Sequence, residues 1–517
     1  MDVSVIVRFH NEEKYLGAVM EALSLQEFPF GQYEIIGVDN QSDDMSNSIV
    51  ARYANKILSV GDYLPGEALN KAINQTSGKH IAILSAHAIP ASRNWLSTLY
   101  THMKDPNVAG VYGAQLFPIN SKFLDKRDLD IFSRDQSRIE REDSDFWNAN
   151  SMFPRRFWEI QKFDERTFEL EDHHWTKMIL PLGYEIHFEP QALVYHYSHI
   201  DRNDRVYVPN LMMNGRDQIE MAIDVLENSS AEWSETMIAG LTLASLAHSY
   251  HNRRAADVLG QVLLNHWDFD VRWRAAGALG KIPNKESVFF LIEGLSDPSF
   301  YVRDEAAWSL ARLGELSVNP IINSIDQLNP NNLSFAALAL GLSGVEAGER
   351  CAVALLAKEI KSADKARIRN AIYFAGEIVR VQGSTILVSV IAGFLDDNDD
   401  WLVAVSCWAL GCFSVIAWDL IEWEVIQVLA MMHSDEIVRF EATVALGKVA
   451  LATGESDFIY TLSDLLHDQS SRVRYGAVQS IRMLIQERKI NVKLDSILDD
   501  NDFGVRYELK LIQKLLQ

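Results

Sequence analysis

Early in the chain, three apolar, β-branched runs end in side chains that can bind or move charge. VSVIVRF (Val3 to Phe9) is followed by Asn11 and Glu12, YEIIGVDN (Tyr33 to Asn40) ends on Asp39, and HIAILSA (His80 to Ala86) carries Ser85 and leads to His87. Carboxylate and imidazole groups in such places serve proton transfer, cation ligation or phosphate binding. Further on, Glu171-Asp172 opens a stretch with helical spacing through Trp175 and Met178, and His196 closes another apolar run. By themselves, two acids in a first turn favour the helix on electrostatic grounds.

The elements that must carry these residues follow from periodicity. Between the first two runs, Glu12 to Leu25 has Tyr15, Val19, Ala22 and Leu23 at helical spacing, a β-α-β unit that predicts parallel strands. A fourth run, VAGVYGAQ, begins at Val108. Sheets of this kind bind ligands at the carboxyl ends of their strands, which is where the polar residues above stand.

At this point the sequence resembles the family-2 glycosyltransferases of the GT-A fold over roughly the first 200 residues. The matching pieces are SVIVRFHNEEKYL, VDNQSDD, GEALNKAINQTSGKHIAILSAHAIP, and FDERTFELEDHHW followed by GYEIHFEPQALVYHYSH. Four pieces in the family's order carry more weight than any one of them. The resemblance implies an α/β, Rossmann-like mixed sheet and transfer of a sugar from a nucleoside diphosphate to a hydroxyl. That reaction needs a base for the hydroxyl and positive charge for the departing diphosphate. It further implies an inverting, single-displacement enzyme with Asp172 as the base and Glu171 as its neighbour or an acceptor contact.

The family's metal motif, an Asp-x-Asp or Asp-x-His after the third run, reads Ser85-Ala86-His87 here, so its first acid is missing. The resemblance places His87 as one metal ligand and His196 as another, with His199 nearby. Two imidazoles and diphosphate oxygens are then expected to hold a divalent cation, Mn or Mg; otherwise His87 bonds the diphosphate directly. Phe9, His10, Asn11, Glu12, Asp39, Ser85 and His87 are the expected donor contacts. Arg8, in place of a common proline, is in a position to reach phosphate or pair with Asp39. Trp147, Asn150 and Trp175 are the expected acceptor contacts, Trp175 either stacking on a sugar ring or lying in the core. The charged stretch from Asn120 to Asp145, with Lys122, Lys126, Arg127, Arg134, Arg138 and Arg141, reads as a solvated segment or a lid over the site. The LSAHAIP and VYGAQLFP pieces look most like the branch that builds bacterial surface polysaccharides, including rhamnosyl transferases, which points to a hexose or deoxyhexose donor.

The second half repeats. VRWRAAGALG (from Val271), VRDEAAWSLA (Val302), LSFAALALG (Leu333), ARIRNAIYFAG (Ala366), LVAVSCWALG (Leu402), VRFEATVALG (Val438), VRYGAVQSI (Val473) and VRYEL (Val505) follow one another at steps of 31 to 36 residues. That period means stacked helix pairs. The pattern resembles HEAT repeats, in which small residues let helices pack closely and the Arg braces the turn. An α-solenoid is therefore expected over residues 216–517, clear from about 235, after a transferase domain at 1–215. Trp401 to Trp418 carries no charge, yet it falls in register with a repeat, so burial accounts for its apolarity and no transmembrane segment is expected.

With 71 acidic residues against 48 Lys and Arg, the formal charge is −23, which repels polyanions and excludes a general nucleic-acid coat. Three cysteines make no disulfide framework and fit a reducing compartment. No basic leader precedes the first run. The expectation is a cytoplasmic enzyme, peripheral at the membrane where its acceptor is lipid-linked. Its expected partners are a nucleotide-sugar donor and a glycan, lipid-linked glycan or protein acceptor, with the array engaging a protein or a second copy. The competing expectation is a binding or scaffold protein whose transferase domain has lost turnover, motivated by the missing acid.

Overall fold

The computed structural model describes residues 1–61, 64–119, 136–167, 169–197, 215–228, 231–250, 253–381, 383–488, 490 and 500–516. The chain forms two compact units, Met1–Arg202 with Lys493–Gln517, and Asn203–Val492. These units differ from the expected spans of 1–215 and 216–517 at both junctions. The last repeat copy, at Val505, belongs to the first unit and not to the array.

In the first unit the described strands are β1 (Val3–Phe9), β2 (Tyr33–Asp39), β3 (Lys56–Ser59), β4 (His80–Ser85), β5 (Ala88–Pro90), β6 (Val108–Leu116), β7 (Arg138–Glu140), β8 (Asn150–Pro154) and β9 (Glu185–His196). They form one sheet in the order β3-β2-β1-β4-β8-β6-β9-β5, with β7 against β9. The first four strands are parallel, and β8 runs antiparallel between β4 and β6. The sheet is the mixed α/β one expected.

β1 and β4 are buried on both faces, which is why they read as continuous apolar runs. The helix Glu13–Ser24 buries Tyr15, Leu16, Val19, Met20, Ala22 and Leu23, the stripe its spacing predicts. Register sets the site: Phe9 pairs with Asp39, and Arg8 with Ser85. The polar ends of β1, β2 and β4 thus share one edge. Where β6 meets β9, a Cβ on Gly113 would lie 2.0 Å from the Ala192 carbonyl oxygen, an approach only glycine permits.

In the second unit, each copy at 271, 302, 333, 366, 402, 438 and 473 falls within one helix, from Phe269–Leu279 to Ser471–Arg488. Shorter helices such as Lys285–Gly294 and Ser456–Leu465 alternate with them. The small residues do what the repeat predicts: a Cβ on Gly447 would lie 2.2 Å from Ser480 Oγ, and one on Gly376 2.3 Å from the Trp408 ring. The repeat arginines brace the turns. Arg439 bonds both oxygens of Asp468 at 2.9 and 3.0 Å and donates to the carbonyls of His433 and Ser434. Arg272 does the same with Asp297, His266 and Trp267. Asp400–Leu420 is, among the described residues, long and apolar enough to cross a membrane, and 72% of its apolar 18-residue window is buried inside the protein.

Candidate active site

Among the described residues, three non-glycine positions have left-handed backbone, and all three stand where the site is built: Asn11 (φ 53°) after β1, Gln41 (φ 55°) after β2, and Leu170 (φ 58°). Such positions mark turns that aim neighbouring groups. Leu170 directly precedes the helix Glu171–Ile179, whose first turn holds Glu171 and Asp172. Both acids are buried, at 4% and 6% exposure.

Asp172 Oδ2 accepts the Asn148 backbone N–H at 2.7 Å, and Oδ1 accepts the His173 N–H at 3.0 Å. Burial pushes its carboxyl up to about 6, helped by the adjacent Glu171 charge and opposed by His173 and these two hydrogen bonds. Glu171 Oε1 takes Arg8 Nη1 at 3.0 Å and Asn148 Nδ2 at 3.2 Å. The arginine at the end of β1 thus pairs with the acidic motif and not with Asp39. This link joins residues 163 apart in sequence, and no spacing in the sequence reveals it.

At the same sheet edge, His87 Nδ1 donates to Glu12 Oε1 at 2.7 Å, and the His87 ring stacks on His196 with centroids 4.8 Å apart and planes 12° from parallel. Phe117 packs on His196. The carboxylate fixes the proton on Nδ1 and leaves Nε2 of His87 for a ligand. Among the described residues no three His, Cys, Asp or Glu side chains gather as a metal-binding set. Ring lone pairs lie in the ring plane, so two nearly parallel stacked imidazoles direct theirs side by side and not toward one ion. The residues present do not fit a divalent cation by themselves. His199 lies outside the described residues.

The loops after β1 and β2 are tied together. Asn11 N–H donates to Ser42 Oγ, Asp43 N–H to Asn11 Oδ1, Glu12 N–H to Ser46 Oγ, and His10 Nδ1 to the Asn40 carbonyl. Asp39 is 5% exposed, and its carboxylate accepts Ser42 N–H and Asn47 Nδ2 at 2.9 Å each. It holds the turn, so its loss would disturb the fold locally as well as any donor contact.

Three expected contacts are corrected by burial. Phe9 is 3% exposed and packs beside Gly37. Trp175 is fully buried within the aromatic cluster of Phe146, Phe153 and Phe163, with its Nε1 donating to the Gln161 carbonyl. Asn150 is also fully buried, bonded to Trp95 Nε1 and to the Ala114 and Ala192 carbonyls. Neither Trp175 nor Asn150 is presented to an acceptor. Asn148, two residues earlier, makes the contacts to the acids. Trp147 is half-buried, its ring 4.4 Å from that of His173. Of the charged stretch, residues 120–135, including Lys122, Lys126, Arg127 and Arg134, lie outside the described residues. Arg138 pairs with Glu140 at 2.7 Å and Arg141 with Glu185 at 2.7 Å.

Comparison with known proteins follows the same division. Residues 4–163 match the family described as Glycosyl transferase family 2, and residues 256–322 that described as HEAT repeats. The chain is 33% identical over 92 residues to the poly(ribitol-phosphate) beta-N-acetylglucosaminyltransferase TarS of Staphylococcus aureus, covering 17% of this chain and 16% of that protein. It is 25% identical over 202 residues to the glycosyltransferase AglE of Haloferax volcanii, covering 38% of this chain and 66% of that protein. The matches thus span less than two thirds of either relative. Among solved structures, the mannosyltransferase PcManGT from Pyrobaculum calidifontis, in complex with GDP-Man and Mn2+, aligns with a TM-score of 0.34 at 18% identity, over 60% of this chain and 85% of that one. The chain carries a family 2 glycosyl transferase region followed by HEAT repeats.

Proposed function

We propose that this protein is an inverting glycosyltransferase, of hexosyl or deoxyhexosyl type, that moves a sugar from a nucleoside-diphosphate donor to an acceptor hydroxyl. The observation that carries the reading is Asp172. Its carboxylate is buried, held by two backbone N–H groups, and raised to about 6, so it is ionised at neutral pH yet basic enough to take a proton in the transition state.

In this reading the acceptor oxygen attacks the anomeric carbon while Asp172 takes its proton, and the bond to the diphosphate oxygen breaks with its electron pair on the leaving group. Donor contacts are assigned to His10, Asn11, Glu12, Asp39, Ser85 and His87, with His87 Nε2 facing the diphosphate and His196 stacked behind it. Trp147 remains the acceptor-side aromatic. The HEAT array recruits or orients the acceptor, and the setting is cytoplasmic.

The test is transfer across a panel of nucleotide sugars by the parent and Asp172→Asn. Donor binding is expected within a few fold of the parent and turnover lower by about a hundredfold or more. A fully active Asp172→Asn protein would move the base elsewhere. A parent that binds nucleotide sugars but never turns them over would favour the scaffold reading, which the serine at position 85 supports.

A further inference from the structure

The helix Phe503–Leu516 returns to the first unit and grips the strand that carries His196. Tyr195 OH donates to Asp502 Oδ2 and Tyr197 OH to Glu508 Oε1, each at 2.9 Å and each buried. Asp502 caps the helix as well, its Oδ1 accepting the N–H groups of Gly504 and Val505. Gly504 lies flat on the Tyr195 ring, where a Cβ would come within 2.1 Å. Tyr197 stacks on Tyr15, at 5.0 Å, and meets Tyr507 edge-on, at 5.3 Å, in one cluster of three rings. Phe503 N–H donates to the Ala91 carbonyl, just past β5.

Side chains alternate along a strand. Tyr195 and Tyr197 therefore face the helix, and His196 between them faces the opposite side, onto the His87 ring. The antiparallel pairing of β5 with β9 fixes His87 as well: Ala88 pairs with His196 in register, and Tyr197 N–H donates to the His87 carbonyl at 2.9 Å. Glu508 is fully buried and Asp502 is 5% exposed, so each acceptor carries the cost of a buried carboxylate and is informative about geometry.

We infer that residues 502–508 are a positioning element of the donor site: by clamping Tyr195 and Tyr197 from behind, they hold the stacked His87–His196 pair against the diphosphate. This inference rests on the glycosyltransferase reading. Tyr195, Tyr197, Asp502 and Glu508 act through the histidines and touch no substrate.

The discriminating quantity is the affinity gained from the second phosphate, the ratio of nucleoside-diphosphate to nucleoside-monophosphate binding. It is measured by calorimetry on the full chain with the uridine, guanosine and thymidine nucleotides. Tyr197→Phe and Glu508→Ala should each lower that ratio about tenfold, within the range of coupling between neighbouring groups. Monophosphate affinity should hold. Glu508→Gln keeps the acceptor oxygen and should restore the parental ratio. In a His87→Ala background the same substitutions should have no further effect on the ratio. Should Tyr197→Phe not fold, Glu508→Ala and Glu508→Gln carry the comparison. Equal losses for mono- and diphosphate, or an unchanged ratio in a parent that binds, overturn the clamp alone. A parent that binds none of these nucleotides overturns the glycosyltransferase reading and the clamp with it.

Discussion

Arg8 Nη1 stands 3.0 Å from Glu171 Oε1, so the end of the first strand is bonded to the acid beside the proposed base. The two side chains are 16% and 6% exposed, which makes this a largely desolvated pair. Removing one partner of such a pair leaves the other charge uncompensated, at a cost of about 3 kcal/mol. Arg8→Met keeps the length of the side chain without its charge. It should lower the unfolding free energy by that order, and one of the two acids should stay protonated to higher pH. Denaturant unfolding checks the first effect and the acid limb of the rate profile the second; neither moving would make the pair incidental.

The pH dependence has a definite sign. Burial raises the Asp172 carboxyl from its ordinary value of 3.8 to about 6. The protonated, neutral form is the one the fold prefers, so Asp172 contributes stability below pH 4 that is lost as pH rises through about 6. Activity runs the other way, because the base must be ionised. The rate at saturating donor should fall with unit slope below about pH 6 and be flat above it until another group titrates. The apparent value belongs to the Glu171–Asp172 pair. A flat profile down to pH 4.5 would show that no carboxyl with a raised pKa governs the step.

Asn148 and Asn150 separate a site role from a structural one. Asn148→Ala keeps the backbone N–H on Asp172 and loses the side-chain contact to Glu171 and a long one, 3.3 Å, from Ser151 Oγ, so a turnover loss of about tenfold with a loss of melting smaller than that of Asn150→Ala is expected. Asn150→Ala strands the Trp95 indole N–H and two buried carbonyls, and about 2 to 4 kcal/mol of stability should go with them. Acceptor KM measured beside thermal melting distinguishes the two. A selective rise in acceptor KM for Asn150→Ala would restore it to the acceptor site.

What could be read from the sequence, and what could not, follows from how each feature is encoded. β1, β2, β4 and the start of β6 were legible because strands buried on both faces must be continuously apolar. The array was legible because close helix packing demands small residues at a fixed period. β5, β7 and β8 are three to five residues long, too short for periodicity, and the antiparallel insertion of β8 depends on partners distant in sequence. Trp175 reads as either a sugar platform or a core residue by type and proximity to Asp172, and residue type does not say which way a helix turns its face; burial makes it core. The left-handed Leu170 breaks local preference, and only its surroundings hold it there. VRYEL matched the repeat because any helix packed closely needs the same small and aliphatic residues, whichever surface covers it.

That last mismatch changes what a fragment should do. From the sequence, residues 1–215 should keep their own sheet and motifs and bind nucleotide. In the structure, that fragment lacks Phe503, Val505, Leu509 and Ile512, all buried, and uncovers Tyr195 and Tyr197. Each buried apolar side chain lost removes about 2 kcal/mol, and the two tyrosine hydroxyls lose their acceptors. The fragment should therefore melt well below the full chain and bind nucleoside diphosphate weakly. A peptide spanning residues 500–517, added in excess, should raise both melting temperature and affinity, since it supplies the missing face by mass action. A peptide with Gly504→Val should not, because the new side chain meets the Tyr195 ring. If the fragment alone binds nucleotide as tightly as the full chain, the helix is a passive cover, and the array can be studied by deletion after all.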